Sequence, residues 1–178
     1  MFIVFFHSKD SIIHSMKIFI ISAISADGFI AKDPIAPSTS WTSAEDKKHF
    51  SEITKRAGVI VMGAKTFATI GRALPGRKTI VYSNTPINVT GIETTSLAPA
   101  ELIKQLEQEG FKEVAICGGT TIYTMFMKAG VVDSLYLTIE PVIFGSGIPL
   151  FKETLDIKME LLNFEKRGQS IFAEYKIV

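Results

Sequence analysis

Val59-Ile60-Val61-Met62-Gly63-Ala64-Lys65-Thr66 decides the fold. Its four apolar residues, three of them β-branched, read as a short strand buried on both faces, as in a parallel sheet covered by helices. The Gly-Ala-Lys-Thr that follows reads as a turn leading into a helix or loop. The same pattern recurs at Thr79-Ile80-Val81-Tyr82-Ser83-Asn84 and at Val114-Ala115-Ile116-Cys117-Gly118-Gly119-Thr120-Thr121. With two further apolar runs, strands are expected at residues 18–24, 59–62, 79–82, 114–117 and 135–139. Helix-like segments fall between them at 43–56, 99–109 and 120–128. Apolar strands alternating with amphipathic helices predict an α/β, three-layer α-β-α domain around a mostly parallel central sheet. The end of the chain differs. Residues 157–164 and 170–177 are strand-like and flank Glu165-Lys166-Arg167-Gly168-Gln169, which predicts an antiparallel C-terminal hairpin.

A length of 178 residues suits one such domain, read as residues 16–178, and no repeat, low-complexity tract or linker marks a second. Residues 1–15 read as an extension outside the core. Phe2-Ile3-Val4-Phe5-Phe6 is too short for a signal-peptide core, lacks a basic segment before it, and is far too short to span a bilayer. Met16 is followed at once by the strand-like run from Lys17. The first fifteen residues are therefore either an extension ahead of the working start or a disordered or docked arm. A net charge of +1 gives no footprint for nucleic acid or an acidic membrane, so affinity for phosphate has to come from local geometry. Cys117 is the single cysteine, which excludes an intramolecular disulfide and points to a reducing, cytoplasmic setting. His7, His14 and His49 are not spaced as a ligand set, and no metal is expected.

The three strand-end turns fall where open α/β sheets form their ligand crevice, at the carboxyl ends of the strands. Each offers small residues, hydroxyls or freed N–H groups suited to phosphate oxygens. Glycine also serves tight turns with no ligand, and any one turn is open to that reading; three together favour a dinucleotide.

Thr42-Ser43-Ala44-Glu45 has capping-box spacing and starts a helix. Asp46, Phe50, Ile53 and Ala57 then share one face, which Phe50 and Ile53 make apolar, while Glu45, Lys48 and Glu52 take the solvent side. An acid on the apolar stripe loses hydration, and its pKa rises toward that of a general acid. The same position also fits an acid favoured by the helix dipole and still in water. Trp41 sets a large aromatic beside this region, for a site or for core packing.

The run Gly63-Ala64-Lys65-Thr66-Phe67-Ala68-Thr69-Ile70-Gly71-Arg72-Ala73-Leu74-Pro75-Gly76-Arg77-Lys78 resembles the signature of the dihydrofolate reductase superfamily. Trp41, Asp46 and Phe50 repeat that family's tryptophan–acid–phenylalanine spacing. Ile116-Cys117-Gly118-Gly119-Thr120-Thr121-Ile122-Tyr123 resembles its double-glycine turn, and Leu135-Tyr136-Leu137-Thr138 its threonine-bearing strand. The similarity runs from about Lys17 to Glu140. It implies a dihydrofolate-reductase-like fold and an NADPH-dependent oxidoreductase that reduces a C=N bond of a pterin-type substrate. By that resemblance Asp46 assists protonation of the substrate ring and Thr138 holds the Asp46 carboxylate. Phe50, Ile70, Leu74 and Trp41 belong to the substrate slot, and Arg77 pairs with a substrate carboxylate, a task suited to a guanidinium. Ala23 and Ile30 flank the nicotinamide, with Tyr123 near it. Gly63, Lys65, Thr66, Ser83, Gly118, Gly119, Thr120 and Thr121 contact the dinucleotide.

Other segments resemble a sister family, the pyrimidine reductase domain of riboflavin biosynthesis. These are Ser25-Ala26-Asp27-Gly28-Phe29-Ile30-Ala31, Ala129-Gly130-Val131-Val132-Asp133-Ser134-Leu135 and Pro141-Val142-Ile143-Phe144-Gly145-Ser146-Gly147-Ile148-Pro149-Leu150-Phe151. That resemblance implies a ribosylamino-pyrimidine phosphate as substrate, Asp27 in its site and, by analogy, a homodimer. No zinc motif for a deaminase accompanies it. A third reading is a nucleotide-binding module without catalysis. Lys47 follows the acid where folate reductases usually carry an apolar residue. Thr121 stands where arginine is frequent, which leaves a 2′-phosphate to Lys65 or Ser83. Pro34 and Pro37 stiffen residues 32–40 and bear on how the site closes. Every reading has a small-molecule partner, with neither nucleic acid nor membrane.

Overall fold

The computed structural model of the chain describes residues 15–33 and 40–178. Most of the expected N-terminal extension (residues 1–14) and the prolines Pro34 and Pro37 lie outside the described residues. In chain order the elements are β1 (Lys17–Ser25), β2 (Phe29–Ala31), α1 (Ala44–Ala57), β3 (Val59–Gly63), α2 (Ala64–Ile70), β4 (Lys78–Tyr82), β5 (Ile92–Thr95), α3 (Pro99–Gln108), β6 (Glu113–Ile116), α4 (Thr120–Lys128), β7 (Ser134–Glu140), β8 (Ile148–Pro149), β9 (Met159–Arg167) and β10 (Ser170–Ile177).

Eight strands form one sheet in the order β5-β4-β3-β6-β1-β7-β10-β9, and β2 pairs with β8 in a small second sheet. From β5 to β7 every neighbouring pair is parallel, while β10 runs antiparallel to both β7 and β9. Strand β1 shows why its sequence is apolar without alternation. Ile18 and Ile20 pack on one face with Leu102 and Leu106 of α3 and Ile122 and Phe126 of α4. Phe19 and Ile21 pack on the other with Ala57 of α1 and Phe67 of α2. Residues on both faces are out of water, as expected for a strand inside a three-layer stack.

The structure extends the sequence expectation in several places. The turn after β3 is a short helix, α2, closed by Gly71 at φ +71 with its N–H on the Phe67 carbonyl at 2.8 Å. Seven residues span two turns, too few to show a periodicity. Strand β5 is half-buried to exposed at the sheet edge, and its Glu93, Thr94 and Thr95 carry no apolar signal. The hairpin turn is tighter than expected: β9 continues through Glu165, Lys166 and Arg167 and leaves only Gly168 and Gln169 between the strands. Charged residues on an edge strand pair without difficulty, because their side chains stay in solvent. The cap of α1 is Ser43, whose hydroxyl accepts the Asp46 N–H at 3.1 Å. On that helix Thr54 and Ala57 are buried, whereas Asp46, Phe50 and Ile53 are half-buried. Asp46 and Phe50 look into a cleft rather than into the core.

Candidate active site

The carboxyl ends of β1, β3, β4 and β6 open into a cleft of about 1580 Å³. Its lining includes Ala23 of β1 and Ile30 of β2, Asp46, Lys47 and Phe50 of α1, and Ile70, Leu74 and Arg77 from the segment after β3. The three turns expected at the strand ends also line it, with Gly63, Lys65, Thr66, Ser83, Gly118, Gly119, Thr120, Thr121 and Tyr123. Residues spread from 23 to 123 are thus brought to one place by the parallel strand order.

The turns after β3 and β6 touch main chain to main chain. The Gly63 N–H donates to the Gly118 carbonyl at 2.8 Å. Gly118 has φ +118, and a Cβ there would stand 3.2 Å from Tyr123 Oη; one on Gly119 would stand 3.1 Å from Thr66 Oγ1. A side chain at either position would crowd these neighbours, and the φ of Gly118 favours glycine there. Gly119 caps α4 with no side-chain acceptor, so the first N–H groups of that helix lack one. Among the described residues Thr120 Oγ1 and Tyr82 Oη are buried without a hydrogen-bond partner, and both residues line the cleft. Orphaned hydroxyls beside a helix start fit an anionic, oxygen-rich ligand such as a dinucleotide. Ser83 lines the cleft, but its hydroxyl is engaged in its own turn, donating to the Thr85 carbonyl at 2.6 Å and accepting the Thr85 N–H at 3.2 Å.

The hydroxyls of Thr138 and Thr42 stand beside the Asp46 carboxyl. Burial pushes its carboxyl above the ordinary carboxylate range; the two hydroxyls and Lys47 pull against that shift, and Glu140 adds to it. Thr138 is 2% exposed and is absent from the cleft lining, so it meets Asp46 from behind. The Tyr123 phenol donates to the Ile21 carbonyl at 2.9 Å, and burial pushes its pKa up, keeping it neutral. Burial likewise pushes up the Cys117 thiol, which is therefore no nucleophile here.

Arg77 is half-buried on the cleft wall, with Nη1 on the Thr54 hydroxyl at 2.7 Å and Nε on the Pro75 carbonyl at 3.1 Å. Among the described residues it has no acidic partner, which leaves its charge for a ligand.

Two sequence candidates stand away from the cleft. The Asp27 carboxylate accepts from Ser25 Oγ at 2.6 Å, from Gly145 N at 2.7 Å and from Phe144 N at 3.1 Å, which holds its pKa down. It ties the Ser25–Ala31 region to the loop after β7, so two of the three segments that resemble the sister family meet each other. Trp41 packs edge-on against Phe144, with ring centroids 5.0 Å apart. Neither residue lines the cleft.

Sequence reading missed Thr42, Glu140 and Ser170 around Asp46. The available signal was Glu140 itself, an acid ending an apolar strand. No cluster of three or more His, Cys, Asp or Glu residues able to hold a metal occurs among the described residues, and no helix there is long and apolar enough to cross a membrane.

Comparison with known proteins agrees with this arrangement. The family model described as dihydrofolate reductase matches residues 17–146. Dihydrofolate reductase type 3 of Salmonella typhimurium is 36% identical over 124 residues, covering 69% of this chain and 71% of its own. Among solved structures, a pyrimidine reductase-like protein from Corynebacterium diphtheriae superposes with a TM-score of 0.76 at 20% identity over 92% of each chain. Dihydrofolate reductase from Enterococcus faecalis, complexed with NADP(H) and RAB-propyl, superposes with a TM-score of 0.73 at 24% identity, covering 90% of this chain and 96% of its own. At those identities the two structures speak for the fold, while the family model spans most of the sequence: the chain belongs to the dihydrofolate reductase family of oxidoreductases.

Proposed function

We propose that the protein reduces a C=N bond of a pterin-type substrate, dihydrofolate, with NADPH. The observation that carries this reading is Asp46: a half-buried carboxyl of raised pKa, flanked by Thr138 and Thr42, on the wall of a cleft that also contains the glycine turns. NADPH, when bound, supplies the hydride. Gly63, Lys65, Thr66, Gly118, Gly119, Thr120 and Thr121 are the residues that would hold it, on the strength of the unpartnered Thr120 hydroxyl and the uncapped start of α4. Ala23, Ile30 and Tyr123 would flank the nicotinamide. Phe50, Ile70 and Leu74 offer an apolar slot for the substrate ring, and Arg77 a cation for its carboxylate. Asp46 keeps a proton at a pH where an exposed carboxyl has lost it, and delivers it to the ring nitrogen.

A second reading, reduction of a ribosylamino-pyrimidine phosphate, is favoured by Lys47. This cation lines the cleft beside Asp46, where a phosphate suits it better than a pterin ring. The test is NADPH oxidation by the purified protein, run side by side with dihydrofolate and with the pyrimidine phosphate. Turnover of dihydrofolate that is lost in Asp46→Asn supports the first reading. NADPH binding with no oxidation by dihydrofolate, even at high enzyme concentration, overturns it.

A further inference from the structure

A second acid, which the proposed chemistry does not use, lies behind Asp46. Glu140, the last residue of β7, is 2% exposed. Its Oε1 accepts from the Ser43 N–H at 2.8 Å and the Ser43 hydroxyl at 2.7 Å, and its Oε2 accepts from the Ser170 hydroxyl at 2.5 Å. These contacts engage both oxygens of its side chain. Among the described residues it has no ion-pair partner. A buried carboxylate without a cation weighs against folding even when hydrogen-bonded, so packing alone gives no reason for glutamate here.

Its neighbours give one. Ser43 is the cap of α1, and its hydroxyl accepts the Asp46 N–H at 3.1 Å. Residues 138 and 140 are two apart on β7, so they share one face of the strand. From that face Thr138 sets its hydroxyl beside the Asp46 carboxyl, while Glu140 grips the residue that caps the Asp46 turn. One strand thereby fixes both the side chain and the main chain of the acid, and Ser170 ties the arrangement to β10.

We propose that Glu140 is the positioning residue of the site: it anchors the first turn of α1 through Ser43, so that Asp46 meets Thr138, and it sets a fixed negative charge behind the acid. The inference rests on the reading of Asp46 as proton donor. Two carboxylates in one poorly hydrated region do not ionise independently, and the charge on Glu140 favours the proton on Asp46. The titratable and charged groups facing Asp46 are Glu140 from β7, Lys47 beside it on α1, and Tyr123 from α4. Lys47 acts in the opposite sense. Glu140 faces Ser43 of α1 and Ser170 of β10, both uncharged, along with Asp46 itself. One turn further on, His49 is engaged with Arg167 at 3.3 Å.

The experiment is an infrared or carbon-13 titration of the Asp46 carboxyl, assigned by its loss in Asp46→Asn, in the wild type, Glu140→Gln and Ser170→Ala. The expected result is a lower Asp46 midpoint in Glu140→Gln. Turnover falls about tenfold above neutral pH and less below it, with the KM for NADPH unchanged. Ser170→Ala, which keeps the charge, lowers Tm but leaves the midpoint in place. A folded Glu140→Gln with an unmoved midpoint overturns the inference, even if turnover still depends on Asp46. A moved midpoint in a protein that turns over neither substrate upholds it and overturns the proton-donor reading instead. If Glu140→Gln does not fold, Glu140→Asp takes its place: the shortened side chain keeps the charge and retreats from Ser43, and turnover is expected to fall with the midpoint still raised. Unchanged turnover in that variant overturns the inference.

Discussion

The Thr138 hydroxyl on β7 stands beside the Asp46 carboxyl on α1, where the central sheet meets the first turn of a helix that opens on the cleft. Burial wins over the pull of this hydroxyl in setting the pKa of Asp46, which lies above the ordinary value of 3.8.

Asp46→Asn is expected to lower turnover by about a hundredfold to ten-thousandfold, the range for loss of a general acid, while NADPH binding persists. In the wild type, turnover falls as pH rises through the raised pKa. The same shift makes a stability prediction of opposite sense. With a folded-state pKa above the unfolded one, Asp46 favours the fold below 3.8, and that contribution is lost as pH rises through the folded value. Asp46→Asn therefore raises Tm at about pH 8 relative to wild type, and the gap closes as the pH falls below the unfolded value. Thermal melts across pH check this without any activity assay.

Arg77 is already positioned by Thr54 and Pro75, and it has no acidic partner among the described residues. If it binds a substrate carboxylate, Arg77→Lys should raise the KM for dihydrofolate about tenfold to a hundredfold and leave kcat nearly unchanged, because the contact is equal in ground and transition states. An unchanged KM would remove Arg77 from the substrate site.

Thr120 Oγ1 and Tyr82 Oη have no partner among the described residues. Thr120→Val and Tyr82→Phe should therefore leave Tm unchanged or slightly higher, since an unsatisfied buried hydroxyl does not stabilise the fold. If the dinucleotide supplies the missing partner, each change weakens NADPH binding by about twofold to tenfold, the worth of one neutral hydrogen bond. Calorimetric titration beside melting curves separates the two effects.

Asp27 clamps the loop after β7 by accepting from Gly145 and Phe144. Asp27→Ala is expected to lower Tm at neutral pH by a few degrees. Its folded pKa is held down, so the stabilisation is present above 3.8 and is lost as pH falls through the lower folded value. The difference between variant and wild type should shrink in acid. A large change in substrate KM with no change in Tm would return Asp27 to the substrate site.

The sequence by itself determined what repeats locally. Runs such as Val59–Met62 need burial on both faces, and only a sheet covered by helices on each side provides it. Gly118-Gly119 and Gly63 mark where two strand-end turns meet, because a larger residue would crowd that approach. Asp46 stood out because an acid broke an apolar stripe. The tertiary structure alone decided which groups surround it. The stripe of α1 is divided: Ile53 and Ala57 pack toward the core, whereas Asp46 and Phe50 reach the cleft, and that is why those two are half-buried. Ser83 spends its hydroxyl on its own turn, and Asp27 turns to the loop of residues 144 and 145, choices that depend on donors only the folded chain brings near. Glu140 acquires its place from Ser43 and Ser170, which stand far from it in sequence, because β7 is paired with β10 on one side and packed beneath the start of α1. Local patterns write the elements, but the partners of a buried charge are set by strand order and register, which no single segment encodes.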